Sequence, residues 1–590
     1  MQKVLKYLNR QQWFYVAVSI VFIVGQVWLD LKLPDYMSAI TTLVQTEGSK
    51  MSDILLQGGY MLLCALGSVA FSVIVGYFAA KVAAGLAKTL RKMVFDKTIG
   101  FSLEEIDRFS TASLINRSTN DITQIQNVVA MGLQVIVKAP IMAVWAVAKI
   151  AGKNYWQWTA TTAVSVFILI IVLAITMIFA LPRFKKIQSL TDNLNRVTRE
   201  HLTGIRVVRA YNAEQYQEDK FAKANDEVTA TNMTANRVMA LMSPTMTLIS
   251  SGLTLVVYWL GAYIIEAAGI TEKLGIFSDM VVFSNYAMLV IQAFMLLNMI
   301  FIMMPRAQVS ARRICEVIDT ESRIKDGNKP ISALGQGSIE FKNVSFRYPG
   351  ASADTLHNIS FTAKKGETVA LIGSTGCGKT TLINLIPRFY DATQGQVLVD
   401  GVNVRDYTQK ELHNRIGYVS QKAILFSGTV TSNIAFGENG KSKINEEDVR
   451  EAVSIAQATE FVERMEGTYN APISQGGTNV SGGQKQRLSI ARAIAGKPEI
   501  LIFDDSFSAL DYKTDKKLRT VLEQKTKDTT KLIVAQRIST IKDADQILVL
   551  DHGRIVGKGT HAELLKNCPE YLEIAQSQLS KEEIENGRKE

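Results

Sequence analysis

Cysteine and histidine are scarce, with four and five among 590 residues. Cys64, Cys315, Cys377 and Cys568 are scattered and lack metal-ligand spacing, so neither a disulfide framework nor a zinc site is expected. The histidines do not cluster either, and surface or packing roles are expected for each. Charge is missing over long stretches of the front half. "WFYVAVSIVFIVGQVWL" (Trp13–Leu29) carries none at all. No small-residue cleavage site follows it, so it reads as an anchor and not as a removable signal peptide.

Six apolar stretches of this kind lie at about residues 13–32, 54–80, 131–152, 158–181, 243–268 and 277–304. Each reaches the ~20 residues that cross a hydrocarbon core. Lys3, Lys6 and Arg10 precede the first, and Lys81, Lys88, Arg91, Lys92 and Lys97 follow the second. Arg183, Lys185 and Lys186 follow the fourth, and Arg306, Arg312 and Arg313 the sixth. By the positive-inside rule these ends are cytoplasmic. The net charge of +10 (65 minus 55) reflects this topology, and no nucleic-acid partner is expected. Two cytoplasmic connections, residues 81–127 and 183–242, keep a helical polar pattern, so the spans should continue as helices below the membrane. A membrane domain over residues 1–325 follows.

Lys138 and Lys149 fall inside the third span. Both are a few residues from an interface, so snorkelling to the headgroups is the expected placement, with a functional intramembrane charge as the alternative. The sixth span is rich in Met280, Phe283, Met288, Phe294, Met295, Met299, Phe301 and Met303. Such a stripe suits either a cavity for varied apolar cargo or plain packing.

The back half changes character after a polar linker at residues 325–337. The apolar strand "TVALI" leads into "GSTGCGKTT" (Gly373–Thr381), a P-loop with Gly373, four residues, then Gly378, Lys379 and Thr380. Its glycines let backbone N–H groups of Gly373, Ser374, Thr375, Gly376, Cys377 and Gly378 close on phosphates, with the dipole of the following helix behind Thr381. Lys379 would reach the β and γ phosphates of ATP, and Thr380 would ligate Mg²⁺. "LIFDDSFSALD" (Leu501–Asp511) ends an apolar strand on Asp504, placed as a second magnesium acid. Between them "VSGGQKQRLSIARAI" (Val480–Ile494) opens a helix on Ser481, Gly482, Gly483 and Gln484. An α/β ATPase domain over residues 337–575 is expected, with a polar tail at 576–590.

Together these residues resemble the nucleotide-binding domain of an ABC transporter. The resemblance implies that Tyr348 stacks on adenine, that Gln421 in "YVSQKAILF" is the Q-loop residue and a further magnesium ligand, and that Ser508–Asp511 form the D-loop. It also implies the exporter arrangement of six membrane helices with long cytoplasmic extensions ahead of the ATPase. "RFSTASLINRSTND" and "AYNAEQYQEDKF" are similar to the family's coupling-helix regions. Three positions depart from the pattern: Asp505 replaces the catalytic glutamate, Gln536 the switch histidine, and Gln475 a glutamate before the signature. Aspartate is one methylene shorter, and a misplacement of about 1 Å can cost ~10²-fold in rate. Glutamine cannot exchange a proton.

The resemblance therefore implies the degenerate-site half of a heterodimeric exporter, whose partner half-transporter carries the catalytic glutamate. The expected setting is the cell membrane, with the N-terminus and ATPase domain cytoplasmic. Hydrophobic or amphipathic compounds, multidrug cargo among them, are the expected substrates. The alternatives are a nucleotide-gated channel, a regulatory membrane subunit, or a lipid or peptide exporter.

Overall fold

The computed structural model describes residues 1–46, 48–152, 155–269, 272–327, 337–437 and 443–587. The linker residues 328–336 and the end of the tail, residues 588–590, lie outside the described residues. Two compact units are formed, one from Met1–Ile99 and Thr111–Thr320, the other from Gly100–Ser110 and Glu321–Glu590.

The first unit is helical. Its long helices are α1 (Arg10–Gln45) and α2 (Met51–Ile99) and, after the short α3 (Leu103–Phe109) of the other unit, α4 (Asn120–Ala151), α5 (Trp156–Thr203), α6 (Glu214–Ala240), α7 (Met242–Ala267) and α8 (Lys273–Asp319). Among the described residues six helical stretches are long and apolar enough to cross a membrane, in the six places expected. At 1.5 Å per residue the 49 residues of α2 run about 74 Å, against about 30 Å of hydrocarbon. Beyond its apolar part α2 still buries Val82, Leu86, Leu90 and Val94, one turn apart, beside Ala79, Ala83 and Ala87. That stripe holds the extension as a packed helix outside the bilayer.

Lys138 and Lys149 in the third span are both paired, which corrects the expectation of snorkelling. Lys138 Nζ on α4 lies 3.0 Å from Asp30 Oδ2 on α1, and the Ser68 hydroxyl on α2 donates to the other oxygen of Asp30. Lys149 Nζ lies 2.9 Å from Asp35 Oδ2, and the buried Tyr286 of α8 donates to Asp35 Oδ1. The reason is physical: with a carboxylate in reach, pairing in a low-dielectric medium outweighs stretching to a distant headgroup.

The Met and Phe residues of the sixth span divide between two environments. Met280 and Phe283 are buried, with Phe283 tilted against Trp158 at 5.4 Å, while Met288 and Met295 are exposed. The side chains of Met299 and Phe301 lie outside the described residues.

One boundary also moves. "RFSTASLINRSTND" begins at Arg108, but the segment that packs with the ATPase unit is Gly100–Ser110, containing α3. A capping box of Ser102 and Glu105 starts that helix, a local signal that lies upstream of the quoted stretch. The stretch itself runs on into the helix Thr111–Ser118 and the start of α4, in the membrane unit.

The second unit carries two main sheets. The antiparallel one pairs β1 (Ile339–Phe346) with β2 (Leu356–Ala363) and, beyond β3 (Thr368–Gly373) in sequence, with β4 (Gln394–Val399). The other contains β3, β5 (Ile416–Val419), β6 (Ile500–Asp504), β7 (Thr530–Val534), β8 (Gln546–Asp551) and β9 (Arg554–Gly559) in the order β9–β8–β3–β7–β6–β5. It is parallel except for β9. Every residue of β6 and β7 is buried, as parallel strands covered on both faces require. Three helices matter below: α9 (Lys379–Asn384), α10 (Gly482–Ala495) and α11 (Tyr512–Lys525).

Candidate nucleotide site

Register places the site. Val534 of β7 pairs with Leu371 of β3 on one side and with Asp504 of β6 on the other. The carboxyl ends of the three strands therefore meet, and Gly373, Asp505 and Gln536 emerge side by side. Ligands of open parallel sheets bind at this edge.

The loop after β3 needs its glycines. A Cβ at Gly373 would collide with the Leu550 carbonyl, and Gly378 has φ +102° with Leu356 Cδ2 only 2.8 Å from where a Cβ would stand. Lys379 folds back over the loop, its Nζ donating to Gly373 O at 2.9 Å and Ser374 O at 2.7 Å. Thr380 Oγ1 donates to Asp504 Oδ1 at 2.9 Å, which brings two of the three expected magnesium ligands together. Hydroxyl and carboxylate oxygens are the hard donors that Mg²⁺ takes, so the residues fit the ion. Burial pushes the Asp504 carboxyl above the usual carboxylate range, and the Thr380 hydrogen bond offsets part of that rise.

Asp505 sits in the left-handed region at φ +46°, immediately after the strand. Its Oδ2 accepts from Gln536 Nε2 at 2.8 Å and from Gln421 Nε2 at 3.4 Å. Burial raises its pKa, while hydrogen bonds from Gln421 and Ser508 oppose the rise. The three residues read from the sequence as base position, switch and Q-loop are thus one hydrogen-bonded group. Tyr348 lies against the P-loop helix, its hydroxyl 3.0 Å from Thr381 Oγ1.

Ser481, Gly482, Gly483 and Gln484 stand elsewhere, at the head of α10. Ser481 Oγ accepts from Gln484 N at 3.4 Å, and Gln484 Oε1 accepts from Ser481 N at 2.9 Å, a reciprocal cap. Ser481 and Gly482 are exposed. The D-loop lies beside them: a Cβ on Gly483 would stand 3.4 Å from Ala509 O. Asp511 caps α11 by accepting from Thr514 N at 3.0 Å, and that bond holds its pKa below the usual range.

Sequence reasoning missed Tyr390, which is buried beside Tyr348 with its hydroxyl on Asp107 at 3.0 Å. Nothing in its spacing marks it. It missed Asp30 and Asp35 as well, although "WLDLKLPD" carries acids where the first span was taken to end.

The family profile described as ABC transporter transmembrane region matches residues 16–294, and that described as ABC transporter matches residues 356–508. An uncharacterized ABC transporter ATP-binding protein of Mycobacterium tuberculosis is 40% identical over 522 residues, 88% of this chain and 87% of its own. The uncharacterized ABC transporter ATP-binding protein YfiB of Bacillus subtilis is 33% identical over 99% of this chain and 100% of its own. An ATP-dependent lipid A-core flippase of Aromatoleum aromaticum is 32% identical over 86% of this chain and 82% of its own. Among solved structures, that of a bacterial Atm1-family ABC exporter with ATP bound shares the fold, with a TM-score of 0.80 over 97% of this chain and all of that one, at 24% identity. The chain belongs to the ABC transporter family: it is a multi-pass membrane protein with the exporter fold, in which six candidate membrane helices among the described residues are joined to an ATP-binding, ATP-hydrolysing domain on the cytoplasmic side.

Proposed function

We propose that this chain is one half of a heterodimeric exporter and that its own P-loop builds the slow site of the pair. The observation that carries this reading is the 2.8 Å bond from the Gln536 amide to Asp505. A general base needs a carboxylate oxygen free to reach the attacking water, and the group beside it must follow the change of charge. Here the short side chain of Asp505 is held by two amides, from Gln536 and Gln421, neither of which takes or gives a proton.

ATP binding is nevertheless well provided for. The backbone of Gly373–Gly378 and Lys379 would hold the phosphates, and the ammonium would exchange its two loop carbonyls for them. Tyr348 would support the adenine. Thr380, Asp504 and Gln421 would hold Mg²⁺, which when bound neutralises charge on the β and γ phosphates. Ser481–Gln484, at the head of α10 with Ser481 and Gly482 exposed, would face the ATP of the partner subunit, where the helix dipole and free N–H groups suit a γ-phosphate. The fast site would then combine this signature helix with a glutamate and a histidine from the partner.

For cargo we propose an amphipathic or apolar compound. The exposed Met288 and Met295 and the intramembrane ion pairs offer both surface types, and the named cargo of the flippase relative is itself a lipid. The test is phosphate release by the purified chain alone and after mixing with a half-transporter that has the glutamate and histidine. Slow hydrolysis alone and fast hydrolysis in the pair are expected. Vigorous hydrolysis by the lone chain removes the reading.

A further inference from the structure

Past Ala535, whose N–H donates to Leu371 O at 3.1 Å, the chain leaves the sheet for Gln536 and then the short helix Ile538–Ile541. That helix has a weak start. Arg537 stands at its N-cap with no side-chain cap hydrogen bond, and the Ile538 N–H is among the first donors, which a helix leaves without an internal partner. Ile538 is fully buried, so water does not serve that donor.

One side chain supplies what the loop needs. Gln578 Oε1 accepts from Ile538 N at 2.8 Å, and Gln578 Nε2 donates to Gln536 O at 2.8 Å. Gln578 ends α12 (Pro569–Gln578), where Tyr571, Ala575 and Gln578 share one stripe at helical spacing. Tyr571 and Ala575 are fully buried, and the Tyr571 hydroxyl is 2.7 Å from His561 Nδ1. The stripe that anchors α12 therefore also aims Gln578 at a loop 42 positions earlier in the chain.

We propose that Gln578 is a positioning residue for ATP hydrolysis by this chain: it fixes the backbone from which Gln536 reaches Asp505, and so makes α12 part of the hydrolytic site. The proposal rests on the reading of Asp505 and Gln536 as the base and switch positions. The Gln536 amide exchanges no proton, but its Nε2 donates to Asp505 Oδ2 at 2.8 Å and settles where that carboxylate points. The Gln536 side chain is exposed, so its direction is set by its own backbone more than by packing. The two Gln578 bonds hold that backbone on either side of Arg537. Without them a buried N–H and a carbonyl both lose a partner, the loop turns to recover one, and the amide no longer meets Asp505. The bonds of Gln578 go to this loop and not to the phosphate cradle, so hydrolysis suffers and ATP binding does not.

The test uses the full chain in lipid nanodiscs without a partner. Single-turnover hydrolysis gives the rate constant, a fluorescent ATP analogue gives the affinity, and melting gives the stability. Gln578→Ala should lower the rate about five-fold, the weight of one hydrogen bond, with the affinity unchanged. Gln578→Glu keeps the acceptor for Ile538 N but sets a carboxylate against Gln536 O. It should melt closer to the parent than Gln578→Ala does and be at least as slow. The deciding variant is Gln536→Ala, which keeps the carbonyl that Gln578 holds and removes the amide it aims. It should be as slow as Gln578→Ala or slower, and adding Gln578→Ala to it should cost nothing more in rate. A purely structural Gln578 would slow both backgrounds alike. An undiminished rate in Gln578→Ala, a loss of affinity as large as the loss of rate, or an additive double variant overturns the proposal. Should Gln578→Ala fail to fold, Gln578→Glu carries the same comparisons. If Gln536→Ala itself hydrolyses ATP at the parental rate, the reading of Gln536 as the switch position fails first and the proposal with it.

Discussion

The Gln536 side chain, two residues past the end of β7, donates to Asp505 Oδ2, just past the end of β6, at 2.8 Å. The register that pairs Val534 with Asp504 brings these two side chains within hydrogen-bond reach. A histidine and a glutamate in the same places would form a proton-exchanging pair, whereas an amide and a short carboxylate form a static one.

On the proposed slow-site reading, a proton-exchanging pair at these two positions should raise hydrolysis. Asp505→Glu combined with Gln536→His should raise hydrolysis by the lone chain by about 10- to 100-fold, the size of the misplacement penalty. Gln536→His alone should do much less, because on that reading the shorter aspartate carboxylate does not reach the attacking water. Phosphate release under saturating ATP measures both. A double variant as slow as the parent shows that the slow step lies elsewhere.

The buried Asp504 gives a pH prediction. Its folded pKa is raised, chiefly by burial, so the folded chain binds that proton more tightly than the unfolded chain does. Stability from this group is then present at low pH and lost as pH rises through the folded value. Asp504→Asn removes the charge and keeps an oxygen that can accept from Thr380. Without nucleotide the variant should melt above the parent at about pH 8, and the gain should shrink as pH falls toward ~4, the ordinary carboxylate range. Melting curves in detergent across that range decide it. A constant difference at all pH values rules out the titration as its cause.

Much of this site is legible in the sequence because its signals are local. The glycine spacing of 373–378, the strand before it and the helix after it all lie within a dozen residues, and the six spans need only length and hydropathy. Asp505 and Gln536 stood out as departures from a pattern. That they touch depends on strand order, which no short window contains. The pairing of Lys138 with Asp30 was hidden for the same reason, since 108 positions of sequence separate residues that only the packing of α1 on α4 brings together. Tyr390 was hidden because an aromatic after a P-loop helix has no spacing that marks its contacts with Tyr348 and Asp107.

Those intramembrane pairs make a stability prediction. The side chains of Asp30 and Lys138 are about one-fifth exposed, and removing one member leaves the other charge poorly compensated. Lys138→Met should lower stability by about 3–5 kcal/mol, the cost of breaking a buried pair. Asp30→Asn with Lys138→Met removes both charges and keeps an acceptor for Ser68, so it should recover most of that loss. Melting of the detergent-purified variants compares them directly. Equal loss in single and double variants means that the pair is not what α1 and α4 rely on.

The last prediction separates the two nucleotide surfaces of this one chain. Lys379 belongs to its own P-loop, where its Nζ now rests on Gly373 and Ser374, while Ser481 belongs to the exposed head of α10. In the proposed pair these serve different ATP molecules. Lys379→Ala should weaken ATP binding at the slow site and leave measurable turnover, because the fast site has its own P-loop on the partner. Ser481→Arg puts a bulky cation at the helix N-terminus, where free N–H groups would meet the γ-phosphate, and should abolish turnover by the pair. The same substitution should leave ATP binding to the P-loop of this chain intact, since Ser481 is bonded to Gln484 and not to the loop. Phosphate release and binding of a fluorescent ATP analogue are to be measured on the assembled pair for both variants. A pair that is dead with Lys379→Ala but active with Ser481→Arg reverses the assignment of fast and slow sites.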